Sequence, residues 1–372
     1  MKITIIGRGN AGSISAMHFG HFRKLLKQKV EIELIYDSKI LPVPTGQGTT
    51  LDFSQQLFQT FCADIVRNNF PFTIKTGTMY ENFGKKHKEW LAPFPLGSYA
   101  LHFEPTDFAN FVCENLKINF QVKDENIENL DSIDSDYIID CRGKSKSLEN
   151  YDKLINPLNC ALLANLPKKE NDVLWTRAIA HKNGWCFYIP LPEKTSIGYL
   201  FNKDLCSVED AENDFKKMFD LEKINRVFPF EQYLAKEPII DDRVFLNGNR
   251  LFFLVPLEAT AMASYIRASQ YYFGYIFEGV SKEETIRGLK DYVYKVQNFI
   301  LWHYANGSAY DTPFWDYAKN LWENNQDKST TEYIEIAKKM SSDDIERSIH
   351  MNDVWAQWKL WNFKNWLDGV NL

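Results

Sequence analysis

The sequence of 372 residues contains no CxxC pair, and its six cysteines, at 62, 113, 141, 160, 186 and 206, lie far apart. Such spacing offers neither a disulfide framework nor a zinc ribbon, and it fits reduced thiols in a cytoplasmic protein. None of the seven histidines forms an HxH or HxxxH pair, so the usual metal-ligand spacings are missing as well. No apolar stretch reaches the ~18 residues of a membrane span. The chain enters a β-branched segment at residue 2, so no signal peptide is expected. There is no long basic run and the net charge is −6, which makes nucleic acid and anionic membranes poor partners. Internal repeats, low-complexity tracts and a clean linker are also lacking.

Aromatic residues are abundant. The chain carries 27 Phe, 18 Tyr and 10 Trp, 15% of its residues, within a hydrophobic content of 45%. That supply is enough for a large core, and it can also line an aromatic pocket.

The first forty residues organise the rest. Lys2-Ile3-Thr4-Ile5-Ile6 is a short β-branched run of the kind buried on both faces in a parallel sheet. It leads into Gly7-Arg8-Gly9-Asn10-Ala11-Gly12, a GxGxxG. The pattern predicts a helix over 13–28, then a second strand over 30–36 that ends in Asp37. This strand, turn, helix, strand, acid order is that of a dinucleotide-binding unit. Gly7 permits the tight turn, Gly9 lets the backbone approach a pyrophosphate, and Gly12 lets helix and strand pack closely. Free N–H groups of Asn10, Ala11 and Gly12 would face the phosphates, and Asp37 would hold a ribose hydroxyl.

Further along, a Pro/Gly loop over 41–50 precedes a helix expected over 51–69. Residues 72–83 read as one strand containing Lys75, with Thr73, Lys75, Gly77 and Met79 on one face. The alternation does not say which face is buried. A strand over 99–103 and a helix over 106–116 follow, with Thr106 or Asp107 as the expected cap. Ile138-Ile139-Asp140-Cys141-Arg142-Gly143 ends another apolar strand in an acid and a glycine, making Asp140 a second candidate dinucleotide contact. Residues 185–191 and 195–201 read as neighbouring antiparallel strands. Gly248 precedes an apolar run, a helix is expected from Thr260, and another over 281–305 with Ser281 as its N-cap. The tail, 311–372, reads as helical. Trp355, Trp358 and Trp361 recur every three residues, which predicts one shared helix face, packed on the body or walling a substrate pocket.

Several of these stretches together resemble the flavin-dependent tryptophan halogenases, over about residues 1 to 320. The GxGxxG matches the family's FAD loop. Gly46-Gln47-Gly48-Thr49-Thr50 is similar to its loop beside the flavin, with Gln47 in place of Glu. Ile74-Lys75-Thr76-Gly77 looks like the strand that bears its essential lysine. Gly184-Trp185-Cys186-Phe187-Tyr188-Ile189-Pro190 resembles its Trp-x-Trp-x-Ile-Pro motif, with Phe187 for the second Trp. Pro256-Leu257-Glu258-Ala259-Thr260 resembles its Pro-Leu-Glu-Ser-Thr turn, and Ala261 stands where the family has Gly. His303-Tyr304 and the residues from Asp311 to Trp315 look like its later landmarks.

The resemblance implies an α/β fold: a Rossmann-like FAD-binding unit, an interleaved mixed β-sheet for substrate, and a C-terminal helical region. Residues 1–310 would form the body and 311–372 a Trp-rich region shorter than in the indole-modifying members. It implies that reduced FAD, dioxygen and halide give hypohalous acid, which passes to Lys75 to halogenate an electron-rich small molecule. Lys75 would act as a hydrogen-bonding ammonium or as a haloamine-forming amine. Glu258 would accept the proton lost from the arene, and Thr260 and Ala261 would offer N–H groups to the halide. Trp185, Phe187 and Pro190 would wall the passage. FAD contacts would come from Gly7, Gly9, Asn10, Ala11, Gly12, Asp37, Gly46, Gln47, Gly48, Thr49, Asp140, Gly248 and Pro256. With one dinucleotide loop, reduced flavin would come from a separate reductase. A flavin monooxygenase and a non-catalytic FAD-binding protein are the competing expectations. The aromatic tail allows a homodimer interface or intramolecular packing equally.

Overall fold

The computed structural model describes residues 1–68, 70–117, 120–170, 172–255, 257–350 and 354–370, with the side chains of 62–68, 342 and 350 left aside. The expected first unit is present. Lys2–Ile6 is a strand with Ile3, Thr4 and Ile5 fully buried. It pairs in parallel with Glu31–Tyr36 on one side and Tyr137–Asp140 on the other. Gln121–Asp124 and Val244–Leu246 extend this sheet to left and right, and Ile239–Ile240 closes it as an antiparallel edge. The chain therefore leaves the sheet and returns to it twice.

The intervening segments build a second, seven-stranded sheet. Its order is Arg226–Pro229, Cys160–Pro167, Lys194–Phe201, Gly184–Pro190, Thr176–His181, Gly77–Glu81 and Glu89–Pro93. All its pairings are antiparallel except that between Thr176–His181 and Gly77–Glu81. The expected hairpin is there, with Trp185 opposite Leu200 and Phe187 opposite Gly198. Alternation splits the middle strand: Trp185, Phe187 and Ile189 enter the main core, and Cys186 and Tyr188 enter a smaller one on the other face. A small third sheet, Gln47–Gly48, Ala100–Phe103 and Thr73–Lys75, lies where the two larger sheets meet in sequence.

Several expectations are corrected. The helix after the GxGxxG begins at Asn10 and ends at Phe22, followed by one 3-10 turn to Leu25. The single strand expected over 72–83 is two strands in different sheets, Thr73–Lys75 and Gly77–Glu81. Thr76 is the joint: its N–H and hydroxyl both donate to the Leu174 carbonyl, at 2.6 and 2.8 Å. The helix Pro105–Leu116 starts on its proline, with Glu104 as an N-cap residue that makes no side-chain capping bond, so neither Thr106 nor Asp107 caps it. Ser281, by contrast, caps Lys282–Ala305 in a full capping box with Glu284.

The tail holds four helices, Pro313–Asn325, Lys328–Lys338, Ser342–His350 and Leu360–Val370. Trp355 and Trp358 do not lie on a helix. They face each other across a tight turn, with N–H to carbonyl distances of 2.8 and 3.0 Å, and Ala356 takes a left-handed φ of 56°. A three-residue spacing looks the same in a helix and in such a turn. The three tryptophans accordingly diverge: Trp355 donates to Ser329, Trp358 stacks on Phe299 at 3.8 Å, and Trp361 lies on the last helix. The tail shares one continuous core with the body. Among the described residues no helix is long and apolar enough to cross a membrane, and Cys62 lies outside the described side chains.

Gly12 is the tightest point of the first unit. A Cβ there would sit 1.8 Å from the Gly7 carbonyl oxygen, a backbone atom that cannot turn aside. Gly12→Ala is expected to lower stability by about 3 kcal/mol or more, read by urea unfolding; a loss under about 1 kcal/mol would contradict this packing.

Candidate active site

Two groups of residues assemble from distant segments. The first lies at the carboxyl ends of the parallel strands, where open α/β sheets place ligands. Gly7 has a φ of 100° and donates its N–H to the Ile35 carbonyl; a Cβ on it would strike the Cys141 carbonyl at 2.7 Å. Gly9 caps the helix, and nothing lies within 4 Å of the Cβ it lacks. Its open side is a cradle at a helix N-terminus, and the buried Asn10 Oδ1 beside it has no partner. These features fit the pyrophosphate of a dinucleotide. Gly248, at a φ of 63°, packs on Ala11, where a Cβ would come within 2.5 Å. Asp37 is half-buried at the end of the second strand and accepts from the Lys39 N–H. Asp140 is buried, and its carboxylate is held by Arg142 at 2.8 Å and by Arg250 at 3.1 Å. Its visible partners are therefore arginines of the neighbouring loops. Pro256 lies outside the described residues.

The second group surrounds Lys75. In its strand Ile74 is 42% exposed and Lys75 only 3%, so the polarity is the reverse of a simple amphipathic strand. Lys75 Nζ donates to the Thr49 carbonyl at 3.3 Å and lies 5.5 Å from the centre of the Phe94 ring. Thr49 is itself fixed, its hydroxyl and N–H bonded to the backbone of Leu101. Gly48 adjoins the ammonium, and a Cβ on it would lie 3.7 Å from Nζ. Gly46 donates to the Ser196 hydroxyl, while Gln47 turns its amide back to the Thr45 carbonyl. This loop runs into the helix Leu51–Asn68, whose Gln56 bonds His18 on the first helix. The glycine loop and the lysine loop are thus braced against each other.

His102, opposite Thr73, is bonded through both ring nitrogens, to Thr176 at 2.8 Å and Thr73 at 3.3 Å. Burial, and then the charge of Lys75, keep it neutral, its pKa well below the usual histidine range. Thr73 also donates to the Pro190 carbonyl at 2.6 Å, tying the strand of Lys75 to the end of the Trp185 strand. Trp185 is buried and donates to the Tyr304 hydroxyl at 3.1 Å. Phe187 covers Gly198, where a Cβ would meet its ring at 2.3 Å.

Glu258 faces Lys75 closely enough for its charge to act on the ammonium. It and Ala259 have left-handed φ values of 65° and 56°, a conformation that costs L-residues about 1–2 kcal/mol each. The helix Thr260–Phe277 starts directly after them. Thr260 is 1% exposed and its hydroxyl oxygen has no partner; Ala261 is half-buried beside it. The first N–H groups of such a helix have no intrahelical acceptor.

Sequence reasoning did not find His303 as part of this site. Its Nδ1 lies 2.8 Å from the Phe299 carbonyl, an acceptor only, so Nδ1 carries the proton. Nε2 then points at Glu258 Oε1, 3.7 Å away. Of the aromatic wall, sequence reasoning offered Trp361, as part of a tail that could wall a pocket, and not Tyr80, Trp90, Phe94 or Trp366. A cavity of about 20 Å³ is lined by Tyr80, Trp90, Phe94 and Glu258, and by Trp361, Asn362, Asn365 and Trp366 of the last helix. The wall comes from segments almost 300 residues apart, and no local spacing joins them. The tail thus both packs on the body and walls this cavity.

Comparison with known proteins adds a family. The model of the tryptophan halogenase family matches residues 2–122 and 114–369. Tryptophan 7-halogenase KtzQ of Kutzneria sp. (strain 744) is 22% identical over 264 residues, 61% of this chain and 49% of that protein. Tryptophan 7-halogenase RebH of Lentzea aerocolonigenes is 25% identical over 265 residues, 60% of this chain and 49% of that protein. The matched stretch spans about half the length of these relatives. Among solved structures, MibH, a tryptophan 5-halogenase, superposes with a TM-score of 0.80 at 17% identity, covering 100% of this chain and 86% of that one. BrvH, a flavin-dependent halogenase from Brevundimonas sp. BAL3, gives 0.77 at 16% identity, covering 98% and 89%. These likenesses establish the fold.

Burial pushes the Lys75 pKa down to about 8 from 10.5, with Glu258 partly opposing the shift. The folded state therefore disfavours the charged form. That penalty is fully present below about pH 8 and fades as the pH rises to 10.5, where the unfolded chain also loses its proton. Lys75→Met is expected to be more stable than wild type at about pH 7, by up to roughly 3 kcal/mol. The gap should close in alkali. Urea unfolding across this range checks it, and a variant less stable at every pH would contradict a desolvated ammonium.

Proposed function

The chain belongs to the tryptophan halogenase family, and from that premise we propose that it is a flavin-dependent halogenase of an electron-rich small molecule, with Lys75 as the residue that presents the halogen. One observation carries this reading. Lys75, buried and lowered in pKa, joins the carbonyl of the loop at Thr49 to the Phe94 ring and to the charge of Glu258, two residues that line the aromatic cavity.

FAD would be held by the cradle at Gly9, with the N–H groups of Asn10, Ala11 and Gly12 toward its phosphates, Asp37 toward a ribose, and the Gly46–Thr49 loop beside the ring system. When bound and reduced by a separate reductase, it supplies hypohalous acid from dioxygen and halide. The halide would rest at the start of the helix from Thr260, where the unpartnered Thr260 hydroxyl and the N–H of Ala261 suit an anion. Trp185, Phe187 and Pro190 would keep the arene apart from that chamber.

Lys75 does three things in this scheme. Its ammonium donates a hydrogen bond to the oxygen of the hypohalous acid, which makes the halogen more electrophilic. Its surroundings exclude the water that would compete for that bond. Its fixed strand aims the halogen at the cavity. The arene carbon attacks the halogen, the O–X bond breaks, and the oxygen leaves as water with a proton from the Lys75 ammonium, which is restored by the proton that Glu258 collects. Glu258 accepts the proton lost from the arene carbon. The left-handed turn at Glu258 and Ala259 fixes the backbone that carries that base.

With a flavin reductase, NADH and bromide, brominated product from an arene panel is expected by mass spectrometry. Lys75→Ala should lower its formation at least about 1,000-fold and Glu258→Gln about 100-fold or more, both with FAD affinity unchanged. A product heavier by one oxygen, formed without regard to bromide, would contradict the reading in favour of a monooxygenase.

A further inference from the structure

The cavity beside Glu258 carries information about what it binds. Three of its rings pack on one another from three separate elements, and a fourth ring, His303, backs them. Tyr80 stacks on Trp90 at 4.5 Å between centroids, Trp366 meets Tyr80 edge-on at 4.9 Å and Trp90 at 5.3 Å, and His303 lies 4.0 Å from Trp366. Contact this close is set by the last helix. A Cβ on Gly369 would lie 2.2 Å from the Trp90 ring, so only glycine lets that helix seat so deeply.

Within this apolar surround, three hydrogen-bonding atoms are buried without a partner: Tyr80 Oη, Trp90 Nε1 and Trp366 Nε1. Tyr80 is 1% exposed and Trp366 2%. Buried polar groups are nearly always satisfied, and an orphan calls for an explanation. The indole nitrogens can only donate, so what they lack is an acceptor. The amides of Asn362 and Asn365 line the same space. Among the lining residues Glu258 is an acid and none is a lysine, arginine or histidine; Lys75, 5.5 Å from the Phe94 ring, and His303, against Trp366 and Glu258, stand outside the lining. A carboxylate entering there would be desolvated beside Glu258, and the one ammonium nearby, Lys75, is already shared by Glu258 and the Thr49 carbonyl, so its burial is costly.

We infer that this cavity recognises a neutral phenol, a flat arene bearing one hydroxyl, and rejects free aromatic amino acids. The inference rests on the halogenase reading above and names its substrate class. The hydroxyl oxygen accepts from the indole N–H of Trp366, with Trp90 and Tyr80 beside it. Its proton faces the Glu258 side, and its lone pair supplies the ring electron density that electrophilic halogenation requires. The ring stacks among Tyr80, Trp90 and Trp366. A volume of about 20 Å³ holds one oxygen-centred group and not a ring. Admission of the ring therefore moves the last helix, Leu360–Val370, which contributes Trp366 and both amides.

The test uses three molecules with one ring skeleton: p-cresol, toluene and L-tyrosine. Calorimetric titration of the FAD-loaded protein gives affinity without turnover, and bromination gives kcat/KM. The expectation is that p-cresol binds about 10-fold tighter than toluene, the worth of about one neutral hydrogen bond, and at least about 100-fold tighter than L-tyrosine. In Trp366→Phe, which removes the N–H and keeps a ring, the p-cresol to toluene ratio should fall toward one. Tyr80→Phe provides a second single-atom deletion if the first variant does not fold. Equal affinity for L-tyrosine and p-cresol, an unchanged ratio in both variants, or no binding of any of the three would overturn the inference. Selective p-cresol binding without bromination would leave the inference standing and remove the halogenase reading. Bromination of L-tyrosine at or above the p-cresol kcat/KM would do the reverse.

Discussion

The hydrogen bond from the Lys75 ammonium to the Thr49 carbonyl, 3.3 Å long and out of contact with water, is the constraint around which the rest of the site is built. A buried ammonium needs an acceptor or an opposing charge. Here it has one backbone carbonyl, one ring face and the more distant charge of Glu258. That company is enough to keep the lysine inside and too little to hold its proton at the ordinary strength. Everything that supports the arrangement is rigid: Thr49 is locked to Leu101, Thr73 is tied to Pro190 and His102, and Thr76 breaks the strand so that Lys75 and Tyr80 belong to different sheets.

The same junction explains the placement of the aromatic tail. Residues 360–370 form a helix that reaches back to Trp90, next to the strand that contains Tyr80. Its tryptophans close a space that holds an acid and unpartnered donors. Three buried donors there face no protein acceptor, and each unmet hydrogen bond costs about 1–3 kcal/mol until a partner is supplied. The tail therefore contributes both packing and polar specification.

Much of the first unit was legible in the sequence, because the steric roles of its glycines are local. Gly7 and Gly12 are required by atoms within the same turn and by the strand beside it, and a GxGxxG between strand and helix states that directly. The Trp185 hairpin and the Ser281 capping box are equally local. The face of Lys75 was not legible, since alternation gives two faces without saying which is inside, and the exposed Ile74 argues for the wrong one. The Trp355 turn was misread because a three-residue repeat fits a helix until Ala356 is seen at a positive φ. The packing of Tyr80, Trp90 and Trp366 on one another could not be read, because it exists only through contacts between segments far apart in the chain. The family resemblance pointed to Lys75 and Glu258, and to His303 only as a landmark; it did not point to Tyr80, Trp90 or Trp366.

The central claim, that Lys75 is a desolvated ammonium held ready beside the aromatic cavity, is tested most directly by NMR titration of its side chain. Protein carrying 13C,15N-lysine, with Lys75→Arg for assignment, would show the Lys75 Cε and Nζ signals moving with a midpoint near pH 8. A midpoint at the ordinary lysine value of 10.5 would place the ammonium in water and contradict the account.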